Sequence, residues 1–119
     1  MKKWLFIAAI NGALAVIAGA LATHGSSLGA NAQAYIRLGS SYQLSHALAI
    51  GLAAFAGRGK ATPCATISAS LFLAGIVLFS GGLYLLALTS SYMFMIPFGG
   101  AAFIAGWIAL AVTALKLEM

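Results

Sequence analysis

The residues that could do chemistry in this chain of 119 are few. There are two histidines, His24 and His46, one cysteine, Cys64, and one acid, Glu118, beside the C-terminus. A single carboxylate excludes paired-carboxylate acid/base work, hydrolysis of that type and hard-cation binding. It also leaves a serine–histidine pair without an acidic third member. No phosphate-cradling loop is present, because Gly59-Lys60-Ala61 lacks the hydroxyl that would follow the lysine. Cys64 can form no intramolecular disulfide, and a structural zinc site lacks partners for it, so it reads as a small packing residue. What remains is an uncharged polar group. Tyr42 and His46 share one helical face, and Gln43 lies within one turn of His46. His24, Ser80 and Tyr84 are expected at similar depth. Two histidines on neighbouring helices could ligate haem or one metal ion, and a His-Tyr-Gln group could relay protons or touch a solute. The same side chains could instead bond to one another and hold helices together.

The elements that position them follow from the charges. The chain is 63% hydrophobic and 6% charged, with a mean hydropathy of +1.06, which is not the composition of a soluble domain. No charge occurs between Lys3 and Arg37, twenty residues separate Arg37 from Arg58, and 55 separate Lys60 from Lys116. A helix crossing the hydrocarbon needs about 20 apolar residues. The gaps therefore hold spans near 4–22 and 41–56, and the longest, broken at Thr89-Ser90-Ser91-Tyr92, holds two more near 63–88 and 97–115. The expectation is a single all-α membrane domain, an integral four-helix bundle. A transmembrane barrel is disfavoured, because alternating ten-residue segments are missing. The first apolar run is longer than the 7 to 15 residues of a signal-peptide core and reads as a retained span.

Lys2, Lys3, Arg58, Lys60 and Lys116 fall on one side of such a bundle and Arg37 alone on the other, which predicts cytoplasmic termini. These charges sit singly at helix ends, so the net charge of +5 does not point to nucleic acid. Gly57-Arg58-Gly59-Lys60 reads as a tight turn, Thr62-Pro63 as an N-cap followed by proline at the first helical position, and Pro97 as the start of the fourth helix. Thr23 to Ser40 is the long connector, in which Asn31 to Arg37 could form a short interfacial helix running into the second span. Small residues mark the expected helix contacts: Gly12 and Gly19 on the first helix, and Gly99, Gly100, Ala105 and Gly106 on the fourth, the last in rows that also include Ala101, Ala102, Ala109 and Thr113. Asn11 lies near the middle of the first span. Trp107 lies about 13 Å below the inner boundary, too deep for an interfacial tryptophan, and its indole N–H needs an internal acceptor.

Thr23-His24-Gly25 closing the first span, Tyr42-Gln43-x-x-His46-Ala47-Leu48 opening the second, Phe79-Ser80-Gly81-Gly82-Leu83-Tyr84 in the third, and Ile96-Pro97-Phe98-Gly99-Gly100 with Gly106-Trp107 in the fourth resemble, in order and spacing, the transmembrane protein 256 family, also catalogued as domain of unknown function 423. The likeness covers nearly the whole chain. It implies a small multi-pass protein of a bacterial inner membrane or a eukaryotic organelle and implies no reaction. The chain departs from the family pattern in having no acid in the first connector. The resulting expectation is a non-enzymatic structural or accessory membrane component without a cofactor, surrounded by lipid and associated with a larger membrane complex or with copies of itself. The alternatives are a haem- or metal-binding redox protein using His24 and His46, and a subunit of an oligomeric proton or solute transporter.

Overall fold

A computed structural model describes residues 1–24 and 28–117. Gly25 of the Thr23-His24-Gly25 motif and the single acid, Glu118, lie outside the described residues. Every regular element among the described residues is helical. The first helix is Lys2–His24 and the second Ala30–Ala56. The third, Gly59–Thr89, opens with a 3-10 turn at Gly59–Ala61 and contains a π-helical turn at Ile76–Ser80. The fourth is Ile96–Leu115.

The boundaries are set by local chemistry. Gly59 takes φ +56°, and Ser90 ends the third helix in the left-handed region at φ 58°. Pro63 and Pro97 both sit in first turns, where their missing N–H groups leave no helical bond unmade. Thr62 is not the N-cap expected from the sequence. The 3-10 turn brings it into helical geometry, and Ala61 caps the helix without a side-chain bond. The second helix starts at Ala30 and not near Ser41: Asn31 to Arg37 are helical and run into the span without a break, as its first turns. Polarity there marks surroundings and not a helix end. Neither proline nor glycine interrupts residues 30–38, and Ile36 buries itself in a small apolar cluster with Ala22 and Ala87.

The first helix packs along the second, the fourth along the third, and the second touches all of the other three. The bundle measures 51 × 25 × 18 Å. Its short dimension is under two helix diameters of about 10–12 Å, so few side chains are enclosed from every direction. Ala8, Ala15 and Ala22 are buried at seven-residue spacing on the first helix, where small side chains allow close backbone approach to the second. On the fourth helix the buried residues are Gly99, Phe103, Gly106 and Thr113. The small-residue row expected there is only partly inside: Ala101 is exposed, and Ala105 and Ala109 are half-buried. Ala, Gly and Thr fit either face of a helix, and the position of the large Phe103 decides the rotation.

The polarity of the bundle is inverted relative to a soluble protein. Gln43, His46, Ser68, Ser80 and Thr113 are buried, whereas Phe6, Leu48, Phe55, Leu88, Ile104 and Leu115 are exposed. The first, third and fourth helices are each long and apolar enough to cross a membrane. The second, although 27 residues long, is not among them; it carries Asn31, Gln33, Arg37, Ser40, Ser41, Gln43, Ser45 and His46, of which Gln43 and His46 are buried.

Candidate functional site

Gln43 lies at the midpoint of the second helix, thirteen residues from either end. The sequence expectation put Tyr42, Gln43 and His46 at the outer start of a span, and the earlier start of the helix moves them to its centre. From there Gln43 joins three helices. Its Nε2 donates to Asn11 Oδ1 on the first helix at 3.1 Å, and its Oε1 accepts from the Tyr84 hydroxyl on the third at 2.7 Å. Asn11 Nδ2 donates onward to the Ile7 carbonyl at 3.0 Å. The donors thus run in one direction, from tyrosine through glutamine to asparagine and the backbone.

Serine hydroxyls reinforce the same contacts. Ser80 donates to the Gly39 carbonyl at 2.7 Å and Ser40 to the Ala15 carbonyl at 2.7 Å. Between the third and fourth helices Ser68 donates to the Gly106 carbonyl at 2.9 Å. The backbones approach closely at these points. A Cβ at Gly39 would stand 2.9 Å from the Tyr84 ring and 3.3 Å from the Ser80 carbonyl, and one at Gly99 would come within 2.8 Å of the Phe79 Cα. Gly19 faces Ser40, and Gly106 faces the Phe72 ring. Gly12 and Gly100, also expected at contacts, have open space where a Cβ would be. Spacing alone does not say which of two neighbouring glycines faces a partner.

One turn beyond Gln43, His46 lies flat on Phe103, with ring centroids 3.6 Å apart and planes 12° from parallel. Tyr42, Phe72 and Trp107 complete an aromatic surround. Both imidazole nitrogens are engaged, Nδ1 with the Tyr42 carbonyl at 2.8 Å and Nε2 with the Trp107 indole N–H at 3.1 Å. A carbonyl only accepts and an indole N–H only donates, so the ring is held as the neutral Nδ1–H tautomer. The acceptor that Trp107 needed is therefore His46, although the Trp107 ring itself is 44% exposed at the bundle surface. Trp4 contrasts with it: its buried Nε1 is the unpartnered side-chain polar atom found among the described residues.

The structure brings Gln43, Tyr84 and Ser80 to one groove and puts Tyr42 and His46 on one face. It does not bring His24 to them. His24 is exposed as the last residue of the first helix, thirteen residues beyond Asn11, or about 20 Å along the axis. With that separation, and with both His46 nitrogens occupied by protein groups, a haem or metal held jointly by His24 and His46 does not fit. No group of three or more His, Cys, Asp and Glu side chains gathers among the described residues. Sequence reasoning noticed Asn11 and missed its bond to Gln43, the stacking of Phe103 and the π turn. Gly75 and Gly82 flank that turn and face Phe103 and Ile96, but no residue pattern in the sequence marks it.

Residues 18–100 match the family described as "Protein of unknown function (DUF423)". The chain is 40% identical to the UPF0382 membrane protein of Haemophilus influenzae, over 97% of this chain and 95% of the relative. It is 38% identical to the UPF0382 membrane protein YwdK of Bacillus subtilis, over 98% of each. With the UPF0382 inner membrane protein YgdD of Escherichia coli K12 it shares 37% identity, over 96% of this chain and 90% of the relative. No solved structure matches it. Apolar outside, polar within, and similar along nearly its whole length to these membrane proteins, the chain belongs to the DUF423 family.

Proposed function

We propose that this protein is a non-catalytic structural or accessory component of a bacterial inner membrane, with all four helices spanning the bilayer and both termini in the cytoplasm. The observation that carries the reading is how the deep polar side chains are used. Gln43, Tyr84, Ser40, Ser80, Ser68, His46 and Trp107 each make a bond from one helix to another. Such bonds contribute roughly 0.6 to 2 kcal/mol each inside a membrane, and they fix how the helices pack. Five basic residues against one support the orientation. The printed description of the Escherichia coli relative as an inner membrane protein supports the compartment.

The protein's partners are then lipid and either a larger membrane complex or a second copy. Extraction from the native membrane in mild detergent, followed by affinity capture and sizing, tests this. Defined co-purification or a fixed oligomer is expected, and a strictly monomeric, partnerless protein would overturn it. Proton or solute flux in proteoliposomes that disappears in His46→Ala would also overturn it, in favour of transport.

A further inference from the structure

A second property of the Gln43 network emerges from counting its hydrogens. Asn11 and Gln43 are primary amides with two N–H groups each, and each spends one, on the Ile7 carbonyl and on Asn11 Oδ1 respectively. One N–H on each is left over, on side chains that are half-buried and buried. Both residues line a groove of about 490 Å³ between the first and third helices, over the middle of the second. Its walls are Leu14, Ile17 and Leu21 on one side and Val77 on the other, all at least half exposed at the bundle surface. The third-helix wall is the π turn, a feature often found at functional sites, and it also contributes Ser80, with Tyr84 one turn further on.

The ligand chemistry follows from depth, charge and donors. Asn11 lies eight residues from Lys3, about 12 Å along the helix, so in a hydrocarbon layer about 30 Å thick the groove floor is close to the midplane. Phospholipid ester carbonyls sit at the edges of that layer, outside this level. None of the eleven lining residues is an acid, a lysine or an arginine, so a charged ligand would have no counter-ion. Two spare N–H donors call for an acceptor, and apolar walls open towards lipid call for a tail. We infer that the groove binds a neutral, tail-bearing carbonyl compound of the quinone class, its carbonyl oxygen accepting from the spare amide N–H groups of Asn11 and Gln43. The inference rests on the bilayer placement of the first helix, not on the accessory role.

The test uses the full-length protein in nanodiscs, titrated with decyl-ubiquinone by calorimetry, with decylbenzene as the carbonyl-free control. Saturable binding at one molecule per chain is expected, at least tenfold weaker in Gln43→Leu and in Asn11→Leu and not reproduced by decylbenzene. Because those variants also weaken the bundle, Val77→Trp serves as the second arm: it plugs the groove from an exposed wall position without touching the network, and it should abolish binding while leaving the unfolding transition in place. Absence of binding by the wild type, binding equal in all variants, or equal uptake of decylbenzene would each overturn the inference.

Discussion

Replacing Gln43 with leucine tests the core of the structural account. The substitution keeps the approximate volume and removes both the bond to Asn11 and the bond from Tyr84. Interhelical hydrogen bonds in membrane proteins average about 0.6 kcal/mol and reach about 1.7 kcal/mol, so two of them set an expected loss of roughly 1 to 3.5 kcal/mol. The upper half of that range applies here, because the Tyr84 hydroxyl and Asn11 Oδ1 would be left without these partners in a low-dielectric interior. Tyr84→Phe, which removes one bond and leaves a small acceptor unpaired, should cost about half as much as Gln43→Leu. A cycle of the two should show coupling of about 0.5 to 2 kcal/mol. The decisive variant combines Asn11→Leu, Gln43→Leu and Tyr84→Phe. With no orphaned group left, it should be more stable than Gln43→Leu alone, since removing all partners of a network costs less than removing one. Equilibrium unfolding in mixed micelles of mild detergent and dodecyl sulfate, followed by circular dichroism, measures each of these. A Gln43→Leu protein within about 0.3 kcal/mol of wild type, below the average for even one such bond, would refute the reasoning. So would a triple variant as unstable as the sum of its parts.

Three further outcomes follow from particular contacts. Gly99→Ala drives a Cβ into the Phe79 backbone and should cost about 1 to 3 kcal/mol through overpacking; Gly100→Ala, where that space is open, should be neutral or stabilising by up to about 1 kcal/mol, and equal effects in the same unfolding assay would show that the fourth helix is rotated wrongly. Nitrogen-15 correlation spectra of His46 should report the Nδ1–H tautomer in the wild type and its loss of fixation in Trp107→Phe, and a dominant Nε2–H form in the wild type would contradict the bond to Trp107. Trp4→Phe removes a buried N–H that has no partner together with part of a ring packed in the core, so only the packing loss of about 1 to 2 kcal/mol is expected; a loss beyond about 3 kcal/mol would mean that the indole nitrogen has an acceptor in the membrane.

Much of this arrangement was legible in the sequence, for identifiable reasons. Charges and prolines are scarce here, so each one carries positional information: Pro63, Pro97 and the Ser90 break mark helix ends where the structure has them. The proximity of Gln43, Ser80 and Tyr84 followed because polar side chains at depth must find one another. Rotation and register were not legible. Gly12 and Gly100 differ from Gly19 and Gly99 only in which way they face, and a composition rich in Ala and Gly offers rows of small residues on every face. The expectation that His24 lies near His46 depends on a second helix that starts at Ser41. Its start at Ala30 shifts the register by eleven residues, which is about 16 Å of axial displacement, and separates the pair.

The second helix explains why these properties occur together. It carries the polar side chains that bond to the first, third and fourth helices, and these, with the exposed Asn31, Arg37, Ser41 and Ser45, leave it less apolar than its three neighbours, each of which is apolar enough to cross a membrane. Gln43 and His46 at its midpoint would each face hydrocarbon in an isolated span, where an unmet polar group costs several kcal/mol. Within the bundle Gln43 is met from both sides, by Asn11 and Tyr84, and His46 from its own backbone and from Trp107. The three apolar helices thus supply the second with partners, and it supplies the bonds that fix their packing. Asn11 and Gln43, each with one amide hydrogen unspent, line the groove between the first and third helices. Asn11 serves the network through its Oδ1, which accepts from Gln43, while its amide group bonds the carbonyl one turn back on its own helix; the hydrogen it leaves unspent adds nothing to the helix packing.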